Sequence, residues 1–204
     1  AQHRIVTGGN DADVAAISRL NPRGGTYSVM LGDEDGGYEV SIIRHTAHIT
    51  SNKPYFTYDF AVVLEDPGHG PTEQPFFNVE FLDSNGLKIP SCGNYFVSVQ
   101  PGIPGFITQT VGWNTFRYKD WSRITVDLST YIGQDITVVF SVADCGASGH
   151  SGRAYIDGNC FLPDVEKTQD CQGIYLEADS GYLKYQWYDG RPPKTIIPND
   201  TNQG

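Results

Sequence analysis

The chain has 204 residues, a length that fits one full-sized domain followed by a short additional segment. Hydrophobic residues make up 39% and charged residues 19%, a balance typical of a folded protein rather than a disordered one. The formal net charge of −10 argues against a nucleic-acid partner, because phosphates would be repelled. No apolar run approaches the roughly 20 residues that cross a bilayer, which argues against direct membrane insertion.

Apolar and polar residues alternate in several short runs, with the period of two expected for strands that bury one face. Turn signals rich in Gly, Asp and Asn separate these runs. The pattern predicts an all-β protein, a two-sheet antiparallel jelly-roll β-sandwich with less than about a tenth of its residues in helix. In chain order, the principal runs are Tyr27–Leu31, Tyr58–Glu65, Tyr95–Gln100, Ile124–Leu128, Ile136–Val142 and Arg153–Phe161.

Helical signals are confined to the N-terminal region. The segment Asp11–Leu20 is predicted to form one short helix, with Asp11 or Asp13 as its N-cap, because Asp side chains accept hydrogen bonds from the first free N–H groups of a helix. No strand–helix alternation follows, which argues against a parallel α/β fold.

A domain boundary is predicted near Pro163–Asp170, where the last long strand run ends. Residues 1–165 are predicted to form a jelly-roll recognition domain. Residues 166–204 are predicted to be a linker followed either by a docked tail or by the truncated start of a second module. Two strands are expected there, at Gly173–Ala178 and Tyr182–Tyr188.

Several spaced blocks of sequence carry a resemblance to a known family. The blocks are Tyr58–Pro67 with His69 and Gln74–Phe77, then Trp121–Phe140, Asp144-Cys145, Gly149–Asp157 and Cys160. In this order they resemble the lectin-like jelly-roll domains near the N-termini of large bacterial surface adhesins that the type IX secretion system exports. The tail around Tyr185–Tyr188 resembles the opening of the immunoglobulin-like module that often follows, with Trp187 as its core tryptophan.

The resemblance implies a secreted, cell-surface protein that binds a glycan or a cell-surface ligand without catalysis, attached to further domains of a parent adhesin. It does not name the ligand. Aromatic residues usually occupy the positions of Ser151 and Arg153 in that family, so a ligand contact made there would be changed in this chain. Two other functions stay open: an ancillary jelly-roll domain of a secreted polysaccharide-degrading enzyme, and a structural spacer without a ligand.

Catalysis is not expected, because the sequence lacks a motif that activates a nucleophile. Ser148 and Ser151 flank His150, but neither lies in a Gly-x-Ser-x-Gly elbow. Carboxylates are plentiful, yet no spacing selects a pair for glycoside hydrolysis.

Three residues are the candidate ligand-binding set: His69, Trp113 and His150. The two histidines lie in Gly-rich loops, which predicts either a shared site for a metal or a sugar, or separate hydrogen bonds from each ring to its own loop backbone. Trp113, between Gly112 and an asparagine, is expected to be exposed and able to stack on a sugar ring. Trp121, which begins a strand, is expected to lie in the core.

The four cysteines indicate two disulfides and an oxidising compartment. The strand runs on either side of Gly146–Gly152 predict a hairpin, with Cys145 near its turn and Cys160 at its far end. That separation exceeds the roughly 7 Å between Cα atoms that a disulfide tolerates. Of the two arrangements that remain, the one predicted is Cys92–Cys145 with Cys160–Cys171, in which the second bridge clamps the boundary segment.

An acidic surface suits a structural calcium ion, and one such site is predicted. Asp157 follows Ile156 on the last main strand and is expected to point out of the core. Asp11 and Asp13 lie in an N-terminal turn, and backbone carbonyls of Gly24–Gly25 would complete the 6–8 oxygen ligands that calcium takes. The alternative is that these aspartates only cap a turn and the short helix.

Overall fold

The computed structural model describes residues 3–91, 93–147, 149–161, 165–169, 174–178, 188–189 and 195–196. Among them are fourteen strands and one 3-10 turn at Ser129–Tyr131, with no α-helix. In chain order the strands are β1 (His3–Val6), β2 (Ser28–Gly32), β3 (Val40–His48), β4 (Tyr55–Glu65), β5 (Phe76–Leu82), β6 (Tyr95–Ser98), β7 (Ile107–Val111), β8 (Asn114–Asp127), β9 (Asp135–Ala143), β10 (Gly152–Phe161), β11 (Val165–Gln169), β12 (Ile174–Ala178), β13 (Tyr188–Asp189) and β14 (Thr195–Ile196).

Two antiparallel sheets form the sandwich. One has the strand order β1-β2-β10-β4-β8-β7 and the other β3-β9-β5-β6. From β2 to β5 the chain changes sheet at every connection, and it does so again from β8 to β10. This is the strand order of a jelly roll, which closes two Greek keys into a sandwich. The predicted fold class is confirmed.

The main core lies between the two sheets and follows the predicted alternation. Side chains two residues apart on the central strands point into it and are almost fully buried. Aromatic rings occupy its centre, where Tyr58 and Phe140 meet edge to face with ring centroids 5.4 Å apart. The inward residues of β4, β5 and β9 are Phe56, Tyr58, Phe60, Val62, Leu64, Phe77, Val79, Phe81, Ile136, Val138, Phe140 and Val142.

A second apolar cluster covers the outer face of the six-stranded sheet. Its members are Val6, Val14, Ile17, Met30, Ala61, Val63, Phe116, Tyr118, Trp121 and Tyr155. The sheet is therefore buried on both faces, which explains why β4 is buried along nearly its whole length. Val14 and Ile17 come from the segment between β1 and β2, and burying each side chain contributes about 1.5–3 kcal/mol.

A β-bulge in β8 brings Trp121 into this second cluster. Phe60 pairs with Ser122 while Val62 pairs with Lys119, so β8 contains one extra residue opposite Ala61. The extra residue reverses which side chains face outward, since strand faces alternate with a period of two. Trp121 thereby joins the outer cluster and donates its indole N–H to the Ser18 carbonyl at 2.8 Å. Its predicted burial is confirmed.

The segment Asp11–Leu20 is not a helix, which corrects the prediction. It forms a compact turn closed by the hydrogen bond from the Asp11 amide to the Ile17 carbonyl at 2.8 Å. Asp11 does cap this turn, because its Oδ1 accepts the amides of Asp13 and Val14 at 3.0 and 2.8 Å. Val14 and Ile17 are both buried in the apolar cluster on the outer face of the six-stranded sheet. The free energy of this burial outweighs the weak helix propensity of the segment, so a turn forms instead of a helix.

The predicted hairpin around Gly146–Gly152 is also corrected. β9 belongs to the four-stranded sheet and β10 to the six-stranded sheet, so the chain crosses the sandwich between them. Alternation alone cannot distinguish such a crossing from a hairpin, because both strands bury a face in the same core.

The C-terminal region is described only in part. β12 confirms the strand predicted at Gly173–Ala178, and it pairs with β11 in antiparallel register. Of the strand predicted at Tyr182–Tyr188, only Tyr188 is described, within β13. Trp187, Cys92 and Cys171 lie outside the described residues, as does the side chain of Cys160. In the described part of the chain, no helix is long and apolar enough to span a membrane.

A buried ion pair fastens the N-terminal segment to the outer face. The guanidinium of Arg153 on β10 has no exposed surface and binds both carboxylate oxygens of Asp11, at 2.6 and 2.7 Å. It also donates to Asp13 Oδ2 at 2.7 Å, while the Tyr155 hydroxyl donates to Asp11 at 2.8 Å. Burial opposes ionisation of Asp11, but hydrogen bonds and charge from Arg153 outweigh it and lower the pKa of this carboxyl.

Replacing Arg153 by Ala is expected to lower the free energy of unfolding by about 3–5 kcal/mol, because Asp11 is left buried without its partner. Urea denaturation followed by tryptophan fluorescence measures the effect. Arg44→Ala is the matched control, since Arg44 is exposed on β3 and its loss should change stability by no more than about 0.5 kcal/mol. Equal effects of the two substitutions would contradict the assigned role of the pair.

The same pair predicts a pH dependence. A carboxyl whose pKa is lowered by folding stabilises the protein above its unfolded pKa, and that contribution is lost as the pH falls through the folded value. The difference in unfolding free energy between the wild type and Asp11→Asn should therefore shrink as the pH falls below the ordinary value of 3.8. Urea titrations at several pH values measure it, and a difference independent of pH would contradict the ion pair.

Candidate functional site

Four connections converge at one end of the sandwich, which we call the loop end. They are residues 33–39 between β2 and β3, 66–75 between β4 and β5, 112–113 between β7 and β8, and 144–151 between β9 and β10. Strand pairing places them together: Gly152 is opposite Leu64, Arg153 is opposite Gly32, and Phe116 is opposite Glu65.

The carboxylate of Asp144 organises two of these connections. Its Oδ2 accepts the amides of Gly37 and Glu39 at 3.0 and 3.4 Å, and its Oδ1 accepts the amide of Gly152 at 3.0 Å. Burial raises the pKa of Asp144 above its ordinary value, although these three N–H groups favour the ionised form. The carboxylate thus accepts hydrogen bonds from backbone amides that have no strand partner where the sheets end.

Further hydrogen bonds fix segment 144–151. Its base is closed by the amide of Cys145, which donates to the His150 carbonyl at 3.0 Å. Glu65 accepts the Ser151 amide at 3.0 Å, and the Gly146 amide donates to the carbonyl of Glu73 at 2.9 Å. The last bond joins this segment to segment 66–75, so the two loops form one hydrogen-bonded unit.

This unit brings His69 and His150 together, and it adds Cys145. The two imidazole rings meet edge to face with centroids 5.2 Å apart, and Cys145 Sγ lies 3.2 Å from His150 Nδ1. One ligand atom from each of the three residues lies within 4.8 Å of the other two. The structure thus brings the two histidines together, as a shared loop site requires, and their binding of a ligand stays a prediction.

Cys145 is a buried, free cysteine. The structure therefore differs from the predicted Cys92–Cys145 disulfide, since the Cys145 sulfur faces His150. The prediction that Cys145 does not pair with Cys160 agrees with the structure, although the hairpin from which it was argued is absent. The Cys160–Cys171 pair lies outside the described side chains and stays a prediction.

Trp113 occupies the tip of the β7–β8 hairpin and is fully exposed. Gly112 precedes it with φ of 62°, as in a two-residue type II′ turn. The hairpin is held against segment 66–75, because the Asp66 amide donates to the Thr115 carbonyl at 2.6 Å and Arg117 Nε donates to Asp66 at 2.7 Å. Trp113 therefore lies at the loop end with the two histidines.

Tyr38 is a second exposed aromatic residue at the loop end. It is 62% exposed and adopts φ of 60°, the left-handed region that side chains rarely occupy. Its neighbours Gly37 and Glu39 both donate their amides to Asp144, which holds this conformation in place.

The three predicted calcium ligands are not brought together. Asp11 and Asp13 bind Arg153, whereas Asp157 Oδ2 accepts a hydrogen bond from Asn21 at 3.2 Å. Asp157 lies four residues beyond Arg153 on β10, about 13 Å along the strand. The predicted proximity of Asp157 to Gly24–Gly25 holds, because a Cβ on Gly25 would lie 3.4 Å from the carboxylate. Calcium binding by the chain stays a prediction.

Sequence reasoning missed Cys145 and Tyr38 as site residues. A signal existed for Cys145, since it lies five residues before His150 across a Gly-rich connection, but the hairpin interpretation directed it towards Cys92. No local signal marks Tyr38, because its conformation is set by Asp144, which is distant in sequence.

Comparisons with known proteins give likenesses to solved structures only. No family model matches the chain, and no curated protein matches it. Among solved structures, a carbohydrate-binding module specific for non-crystalline cellulose, CBM28, aligns with a TM-score of 0.33 and 16% sequence identity. The alignment covers 65% of this chain and 73% of that module.

Gly36 fits closely under segment 144–151, so its replacement by Ala is expected to destabilise the loop end. A Cβ there would lie 2.5 Å from the Gly149 carbonyl carbon, and closer still to the His150 nitrogen. The expected loss is about 1–3 kcal/mol, measured by thermal or urea denaturation. Gly70→Ala is the control, since its nearest atom would be 4.0 Å away. A neutral Gly36→Ala variant would contradict the close packing.

Proposed function

We propose that the chain is a non-catalytic domain that binds carbohydrate or a glycan-coated cell surface through the loop end. Its proposed context is a secreted cell-surface adhesin of the type IX secretion type, with further domains attached. The fully exposed Trp113, on a hairpin held at the same end of the sandwich as the two histidines, is the observation that carries the proposal. The sequence blocks that resemble lectin-like adhesin domains support the context.

The physical basis is the shape and chemistry of a sugar ring. A pyranose has an apolar face and a polar rim, so it stacks on an aromatic ring while neighbouring polar groups bind its hydroxyls. Trp113 and Tyr38 offer such exposed rings at the loop end. The half-buried His69 and His150 offer ring nitrogens at the same end, and rigid loops limit the entropy lost on binding.

Removing the exposed rings is expected to weaken glycan binding. A glycan array with the wild type would identify a ligand, and titration calorimetry would then compare the Trp113→Ala and Tyr38→Ala variants. Each variant is expected to lose about tenfold in affinity, which corresponds to about 1.4 kcal/mol. Running the array with calcium and with excess chelator also shows whether the predicted structural calcium affects binding.

The control is Tyr27→Ala. Tyr27 is as exposed as Tyr38, but it precedes β2 and therefore lies at the opposite end of the sheet from the loop end. Binding that is retained by both loop-end variants, or lost equally in Tyr27→Ala, would remove the loop end as the binding surface. Far-UV circular dichroism establishes that the three variants fold alike.

A further inference from the structure

We infer that His69, Cys145 and His150 form a binding site for a thiophilic divalent transition metal, with zinc as its simplest occupant. Stacking of a sugar ring on Trp113 or Tyr38 does not require the ion. A thiolate and two imidazoles are ligands that zinc prefers, and three protein ligands leave a fourth position open to water or to another donor atom. The three residues come from two connections of the loop end, which the jelly roll brings side by side.

The spacing of the ligand atoms fits such an ion after a small closure. Tetrahedral zinc, with bonds of about 2.3 Å to sulfur and 2.0–2.1 Å to nitrogen, holds these two atoms about 3.5 Å apart. Cys145 Sγ and His150 Nδ1 are 3.2 Å apart, and no two of the three ligand atoms are more than 4.8 Å apart. Closing the widest pair therefore needs a shift of at most about 1.5 Å, which side-chain rotation of a half-buried histidine supplies.

The hydrogen bonds of the rings favour a metal over a purely structural role. If each histidine only fixed its own loop, its ring nitrogens would bond to backbone groups. Instead, His150 Nδ1 faces the Cys145 sulfur, and His69 Nδ1 is enclosed without a hydrogen-bond partner among the described residues. A buried polar atom without a partner is rare and costs free energy, so it points to a missing partner.

The hydrogen bonds that position the two segments carrying His69, Cys145 and His150 are already formed without a metal ion. Asp144 and Glu65 fix segment 144–151 on one side, and the Gly146–Glu73 and Gln74–His69 hydrogen bonds fix segment 66–75 on the other. Cys145 is fully buried, whereas both histidines are partly exposed, so an ion entering from solvent meets the imidazoles first. Metal sites of this kind depend on such supporting contacts to hold ligand geometry.

Zinc titration of the reduced, chelator-treated chain tests the site. The expected result is one ion bound per chain and a rise in melting temperature, because the ion binds the folded form. Affinity should fall as the pH is lowered, since all three ligands bind metal in their deprotonated forms. Cobalt as a probe should give the visible bands of tetrahedral coordination and a thiolate-to-cobalt charge-transfer band.

Substitutions locate the ion. Cys145→Ser, His69→Ala and His150→Ala should each lower zinc affinity by at least about tenfold, and Cys145→Ser should abolish the charge-transfer band. His45→Ala is the control, because His45 is exposed on β3 away from the cluster, and it should bind zinc as the wild type does.

The two histidine variants keep the test valid if Cys145→Ser fails to fold. The inference is overturned if the wild type binds no stoichiometric zinc. It is equally overturned if zinc affinity and the cobalt spectrum survive in both histidine variants, since the ion would then be held by other residues.

Discussion

The guanidinium of Arg153 is buried under the N-terminal segment, and the second core depends on its neutralisation by Asp11. A charge without a partner at this depth would cost several kcal/mol, so the sheet can bury its outer face only when the segment between β1 and β2 supplies a carboxylate. Once Asp11 is in place, Val14 and Ile17 cover Met30 and Tyr155. The ion pair thus selects one position of the segment, and the apolar contacts supply the free energy.

Asp144 plays the corresponding role at the loop end. Where the strands finish, backbone amides lose their ladder partners and must find other acceptors or remain in water. One buried carboxylate accepts three of them, from Gly37, Glu39 and Gly152, and so ties the β2–β3 and β9–β10 connections to each other. Because these bonds involve backbone, the exposed side chains of the loops can differ without loss of the frame.

The alternation of apolar residues was sufficient to predict the sandwich and the inward face of β4 and β9, because burial of one face has a period of two in sequence. It was insufficient for the β9–β10 crossing, since a hairpin and a crossing bury the same residues. For the loop end, the Gly-rich settings of His69 and His150 indicated either a shared site or two separately fixed rings, and the structure brings the two rings together. The pairing of Arg153 with Asp11, 142 residues apart, has no local signature, so sequence reasoning placed Asp11 in a calcium site without an arginine partner.

Tyr38 shows how the hydrogen bonds of Asp144 are linked to the exposed aromatic surface of the loop end. A left-handed conformation for a residue other than glycine costs about 1–3 kcal/mol, and it persists only where the surroundings determine it. The amides on both sides of Tyr38 are held by Asp144, whose other oxygen holds Gly152 at the start of β10. The backbone of Tyr38 is therefore held by the same carboxylate that holds the start of β10, next to the segment carrying Cys145 and His150. A substitution that removes the hydrogen bonds of Asp144 would therefore disturb both Tyr38 and the cluster of His69, Cys145 and His150. These two features of the loop end share one structural support, although one binds by ring stacking and the other by metal ligation.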